Sequence, residues 1–152
     1  MNNEKVWKDG ENQVCEYLKA NGYKIVYQNF SCKIAELDIV AVLPKQIQKK
    51  NLKIQSKQKI INSKTKNEKL LIKFALKNQL KNIRDMLVIV EVKSRSNNKF
   101  GLGLEAITGE KMFHMKRGAE ILLKMKKFKN MQIRFDVASV DSGEITYIEN
   151  AF

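Results

Sequence analysis

Apolar residues along this chain recur with two different spacings. Over residues 3–21, Val6, Trp7, Val14, Cys15 and Leu18 return near helical spacing, and Gly22 supplies a stop. Residues 23–30 (YKIVYQNF) are rich in β-branched and aromatic side chains and predict a strand. After a turn at 31–33, residues 34–43 (IAELDIVAVL) predict a second strand, ended by Pro44. Residues 87–93 (LVIVEVK) are apolar up to Glu91 and predict a third. Residues 94–103 then predict a loop, and residues 110–127 a helix capped by Thr108 or Gly109. Residues 131–140 and 144–148 predict two closing strands around an Asp141-Ser142-Gly143 turn. The order helix, three strands, helix, two strands implies an α/β mixed sheet with helices packed on it.

Residues 44–86 interrupt this pattern. They are dominated by Lys, Asn, Gln, Ile and Leu. The part up to about residue 67 has weak periodicity and is expected to be mobile, without a regular element. The part beyond it, with Leu70, Leu71, Phe74, Ala75, Leu76, Leu80 and Ile83, predicts one amphipathic helix. The segment reads as a solvated insertion between two strands. It also carries most of the charge. Of the net +13, a surplus of eleven lies in 44–86, where twelve lysines and Arg84 face only Glu68 and Asp85. A basic surplus suggests a polyanion, either nucleic acid or an anionic membrane surface, but the rest of the fold is nearly neutral.

With 152 residues, 43% hydrophobic and 30% charged, the chain reads as one globular domain, 1–152, carrying that insertion. No apolar run approaches the roughly 18 residues needed to cross a bilayer, and residues 1–5 begin no apolar signal core. The expected location is therefore cytoplasmic, with no membrane partner. Two cysteines and one histidine exclude a disulfide framework and a His- or Cys-rich metal site. Any divalent ion would rest on carboxylates, which favours magnesium or manganese. His114 is expected on a helix surface, Cys15 in the core, Cys32 in a turn and the second helix's methionines as core filler.

The candidate chemistry lies in two strands. Asp38 interrupts Leu37-Asp38-Ile39-Val40, while Glu91 and Lys93 interrupt Val90-Glu91-Val92-Lys93. Alternation puts Glu91 and Lys93 on one face and Val88, Val90 and Val92 on the other, toward the core. If the two strands are neighbours, Asp38 lies beside Glu91. Two such carboxylates repel unless a cation sits between them. A metal held there would lower the pKa of a bound water and stabilise an attacked phosphate, with the lysine neutralising developing charge. Glu11 could add a third carboxylate. Glu-x-Lys triplets are common surface pairs; what weighs here is charge inside otherwise apolar strands, where burial unpaired is costly.

Several segments together resemble the YraN family of small bacterial proteins. They are Gly10-Glu11, Tyr17-Leu18, Gly22-Tyr23, Asn29-Phe30, Glu36-Leu37-Asp38-Ile39-Val40-Ala41, Val88 through Arg95, Lys111, Arg134-Phe135-Asp136-Val137 and Asn150-Ala151-Phe152. That family resembles the PD-(D/E)xK nuclease superfamily, including archaeal Holliday-junction resolvases. The resemblance implies a restriction-endonuclease-like mixed sheet flanked by helices. It implies Asp38 and Glu91 as metal carboxylates, Lys93 as catalytic lysine and Glu11 as auxiliary carboxylate. Arg95 and Lys111 would contact nucleic acid, and Glu36 would neighbour the site. The implied activity is magnesium- or manganese-dependent cleavage of DNA, in branched or structured substrates, by an enzyme that is dimeric if it follows the resolvases. The competing expectations are a non-catalytic nucleic-acid-binding module and an interaction or structural protein on the same fold. Two departures stand out: Ala35 replaces the family's usual glycine, where a positive φ would strain alanine, and 44–86 replaces a short hairpin turn.

Overall fold

The structure is a computed structural model that describes residues 3–95 and 107–152, with side chains described for 9–94 and 107–152. Helix α1 (Asn3–Ala20) leads into strands β1 (Lys24–Cys32) and β2 (Ala35–Leu43). Helices α2 (Lys45–Asn62) and α3 (Lys66–Asn82) follow, then β3 (Met86–Arg95), α4 (Gly109–Lys124), β4 (Gln132–Asp141) and β5 (Glu144–Ile148). Apart from α2, the elements fall where the hydrophobic pattern places them. The helix stop at Gly22 has φ +84°, a conformation that glycine takes without Cβ strain. The predicted 94–103 loop lies mostly outside the described residues.

The strands form one mixed sheet in the order β1-β2-β3-β4-β5. Pairing is antiparallel except between β3 and β4, which run parallel and are joined through α4. A parallel pair needs such a crossover. The sheet is covered on both faces. On one, Val14, Cys15 and Leu18 of α1 pack with Ile39, Ala41, Val88 and Val90. On the other, Met115, Ala119 and Leu122 of α4 pack with Leu37, Val40, Leu87 and Ile89. This explains why β3 is apolar at consecutive positions: it is the central strand, buried from both sides. Glu91 therefore emerges beyond Leu87 and Ile89 on the α4 face, which is itself part of the core.

Gly118 lets α4 approach β2 closely. A Cβ there would lie 3.0 Å from the Ala35 Cβ and 3.2 Å from Leu37. Ala35 is buried in β2 and is not among the residues with positive φ, so the expected strain at this position does not arise.

Residues 44–86 differ from expectation. Where the sequence predicts no regular element, α2 runs for 18 residues, and with α3 it forms a helical hairpin. Lysine and glutamine are good helix formers, and the segment lacks internal glycine and proline. Its base is fixed to the sheet. Gln48 Nε2 donates to Leu43 O at 3.0 Å and Arg84 O at 2.7 Å, Lys45 N donates to Asp85 Oδ1 at 2.8 Å, and Ile47 packs against Gly22. Thr65 and Glu68 form a capping box that starts α3.

The C-terminal residues are clasped by Asp136, which is fully buried. Its carboxylate accepts from Arg134 Nη2 (2.6 Å) and Nε (2.8 Å), Tyr147 Oη (2.6 Å) and the Asn150 N–H (2.8 Å). Phe152 stacks on Phe135 at 5.1 Å. Burial pushes the Tyr23 hydroxyl up to about 12, against the lowering influence of Arg134 beside it.

Candidate functional site

The site lies where the regular alternation of β2 breaks. Asn29 has φ +53°, inside a strand where extended φ is the rule. It lies between the Gln28–Ile39 and Phe30–Leu37 pairs, and so opposite Asp38. The alternation of β2 breaks at the same level. Leu37 packs on the α4 face, Ile39 on the α1 face and Val40 again on the α4 face. Pairing between β2 and β3 runs from Leu43–Met86 to Ile39–Val90 and ends there. Beyond that point the ladder is replaced by a side chain: Asp38 Oδ2 accepts from the Val92 N–H at 2.8 Å. The two strands thus diverge around a cavity of about 300 Å³, lined by Glu11, Asn29, Glu36, Asp38, Glu91, Val92, Lys93, Ser94 and Lys111.

The expected pair of carboxylates meets in this notch. Glu91 is only 2% exposed. Lys93 Nζ donates to its Oε1 at 2.7 Å, and Lys111 Nζ stands 2.9 Å from Oε2. The Lys111 approach lies off the direction of a well-formed hydrogen bond, so Oε2 is charge-compensated while its lone pairs lack a good donor. Burial, then the nearby Glu91 charge, pushes the Asp38 carboxyl up to about 6, against the Val92 hydrogen bond and the Lys111 charge. For Lys111 burial acts to lower the pKa. Contact with Glu91 and the charges of Asp38, Glu91 and Glu36 outweigh it, and the ammonium is held above its ordinary value.

Both helices contribute to the wall. Gly10 brings α1 against β3, where an added Cβ would lie 3.0 Å from Ser94 Cβ and Oγ. Glu11 then reaches the notch and is held there by Asn29 Nδ2, 2.8 Å from its Oε2. From the opposite face, Thr108 caps α4 by accepting from the Lys111 N–H at 3.2 Å, which fixes the helical turn that carries Lys111.

Asp38, Glu91, Lys93, Lys111, Glu36 and Glu11 are therefore brought to one cavity. The Arg95 side chain lies outside the described residues. Among the described residues, no three His, Cys, Asp or Glu side chains group closely enough to hold a metal by themselves. Glu11 accordingly lines the wall without completing a three-carboxylate cluster. The donor chemistry still suits a hard divalent cation. Four carboxylates line the cavity against two ammonium groups, and a buried Glu91 oxygen lacks a good donor. Thr108 caps α4 as the sequence predicts and thereby positions Lys111, whereas the sequence reading assigns no site role to Asn29, which positions Glu11. An asparagine within a strand, next to a strand carboxylate, was the available signal. His114 is on the surface of α4 as expected, with Nδ1 2.7 Å from Ile34 O.

Known proteins share this arrangement of sequence. The profile of the uncharacterised protein family UPF0102 matches residues 10–140. A UPF0102 protein of Caldicellulosiruptor saccharolyticus is 33% identical over 100% of both chains. One from Legionella pneumophila is 31% identical, covering 95% of this chain and 92% of the relative. One from Dictyoglomus turgidum is 28% identical over 100% of both.

Proposed function

This chain belongs to the UPF0102 family, and we propose that the notch between β2 and β3 is a metal-dependent nuclease site acting on DNA, with branched or structured DNA as candidate substrates. The observation that carries this reading is the meeting, in one cavity, of Asp38, Glu91 and Lys93 from largely apolar strands with Lys111 from α4. Charge buried at that cost is retained where it does chemical work.

Asp38 and Glu91 are the residues that would hold magnesium or manganese, and the ion would supply a bound water of lowered pKa and neutralise charge on the attacked phosphate. The Val92 N–H orients the Asp38 carboxylate toward the cavity. Lys93 and Lys111 balance Glu91 in the free protein. With substrate present, Lys93 turns to the phosphate and stabilises its developing negative charge, and Lys111 contacts the backbone from α4. Glu11, braced by Asn29, keeps the far wall negative and available to orient water.

A second reading, a nucleic-acid-binding module that does not cleave, is favoured by one feature: both Glu91 oxygens already face ammonium groups. The deciding experiment is cleavage of linear, flapped and four-way DNA with magnesium or manganese, beside calorimetric titration of the metal. The nuclease reading expects Asp38→Ala and Glu91→Ala to lose both cleavage and metal binding while DNA binding persists. Lys93→Ala should lose cleavage alone. DNA binding without metal uptake or cleavage in the parent protein would establish the second reading instead.

A further inference from the structure

The cleft does not account for the helical hairpin. The hairpin joins the sheet at Leu43 and Met86, while the site lies around Asp38 and Glu91; the five residue steps along β2 from Asp38 to Leu43 span about 17 Å. The less exposed positions of its helices form one seam, with Leu52, Ser56 and Ile60 on α2 and Ile72, Leu76 and Leu80 on α3. Outside that seam, Ile54 and Ile61 on α2 and Leu70, Leu71 and Phe74 on α3 are 57–72% exposed. At about 100° per residue, Ile54 and Ile61 stand roughly 160° and 140° round the helix from Ser56. Phe74 stands roughly 160° from Leu76, with Leu70 and Leu71 to either side of it. Each helix is thus apolar on two opposite sides, and the outer stripes face away from one another. Ile61, Leu70, Leu71 and Phe74 all lie within about three turns of the tip at 63–65. Residues 57–74 also carry six lysines against one glutamate, Glu68, which is engaged in the capping box.

We propose that the tip of this hairpin docks into the headgroup layer of an anionic lipid bilayer. A rigid, flat partner covers one outer stripe and leaves the other in water. A deformable interface surrounds the tip and covers both. The lysines bury their stems beside the apolar residues and reach the lipid phosphates with their ammonium groups. A nucleic-acid backbone takes the lysines but offers Ile61, Leu70, Leu71 and Phe74 nothing apolar to pack on. A second copy of the chain brings the same positive charge and is repelled. Among the described residues no helix is long and apolar enough to cross a membrane, so the attachment is to the surface. This departs from the sequence expectation of no membrane partner, which rests on the lack of a spanning run.

The test is flotation of the full chain with phosphatidylcholine vesicles, with and without phosphatidylglycerol. It is repeated with Ile61→Gln, Leu70→Gln, Leu71→Gln and Phe74→Gln combined, a variant of unchanged charge at exposed positions whose helicity circular dichroism verifies. The parent should bind the anionic vesicles, and the variant should bind them at least about ten-fold more weakly with unaltered affinity for a short DNA duplex. Failure of the parent to float with anionic vesicles, or a variant that floats like it, overturns the proposal. So does a variant that loses duplex affinity in step with vesicle affinity, or a parent whose self-association the variant abolishes. None of these outcomes depends on whether the cleft cleaves DNA.

Discussion

Asp38→Asn should stabilise the fold while destroying the site. The carboxyl of Asp38 is raised from 3.8 to about 6, by burial and by Glu91. Below pH 4 it is protonated in both the folded and unfolded chain. As pH rises through about 6 the folded protein must give up a proton that it binds more tightly than the unfolded chain does, and stability is lost. A shift of about two units at 1.36 kcal/mol each is worth about 3 kcal/mol. Asparagine keeps an oxygen to accept from the Val92 N–H and has no charge to desolvate. The variant should therefore match the parent near pH 4 and exceed it by up to about 3 kcal/mol above pH 7. For a chain of this length that is about 6–12 °C in Tm. Urea denaturation at closely spaced pH values between 4 and 8 measures the difference directly. Magnesium at neutral pH should narrow the gap by stabilising the parent alone. A stability difference that does not change between pH 4 and 8 would refute the reasoning, because Asp38 would then titrate as an ordinary surface carboxyl.

Three further outcomes follow from the same structure. Lys111→Ala leaves Glu91 half-compensated and should cost about 1–3 kcal/mol, discounted because the lysine is partly exposed; magnesium should restore part of that loss in thermal melts. Asp136→Ala strands the nearly buried Arg134 and releases the C-terminal residues, at about 3–5 kcal/mol by urea denaturation; a loss under about 1 kcal/mol would show that the clasp is incidental. Replacing residues 45–85 by a short turn should leave a folded sheet with an intact notch, and the salt dependence of DNA binding should flatten as the lysines go. An unfolded product, seen by circular dichroism, would place the hairpin base in the core.

Much of this was readable from residue order. The runs of β-branched residues located all five strands, and the meeting of Asp38 with Glu91 followed from pairing two of them. Alternation correctly set Glu91 apart from Val88 and Val90. It could not say that the second face is also core, because consecutive apolar residues such as Leu87 to Val90 show burial from both sides only once α1 and α4 are in place. Helix α2 has no clear mark in the sequence for a physical reason: it carries only Ile47, Leu52, Ile54, Ile60 and Ile61 as apolar residues among eighteen, too sparse for a helical stripe to stand out, whereas α3 has Leu70, Leu71, Ile72, Phe74, Ala75, Leu76 and Leu80 in seventeen. Lys111 is marked only by the family resemblance, since a lysine near a helix start carries no local sign of its long-range partner. The role of Asn29 depends on a backbone angle that neighbouring residues do not dictate.

That angle has a wider consequence. The notch is a parity error rather than an added loop: opposite the left-handed Asn29, Leu37 and Ile39 turn to different faces, and the Asp38 side chain takes the place of main-chain pairing between β2 and β3. The opening between β2 and β3 therefore coincides with one break of alternation in an otherwise conventional sheet. A β-branched residue at 29, which resists that conformation, should disturb the cavity wall and release Glu11 from the side chain that holds it.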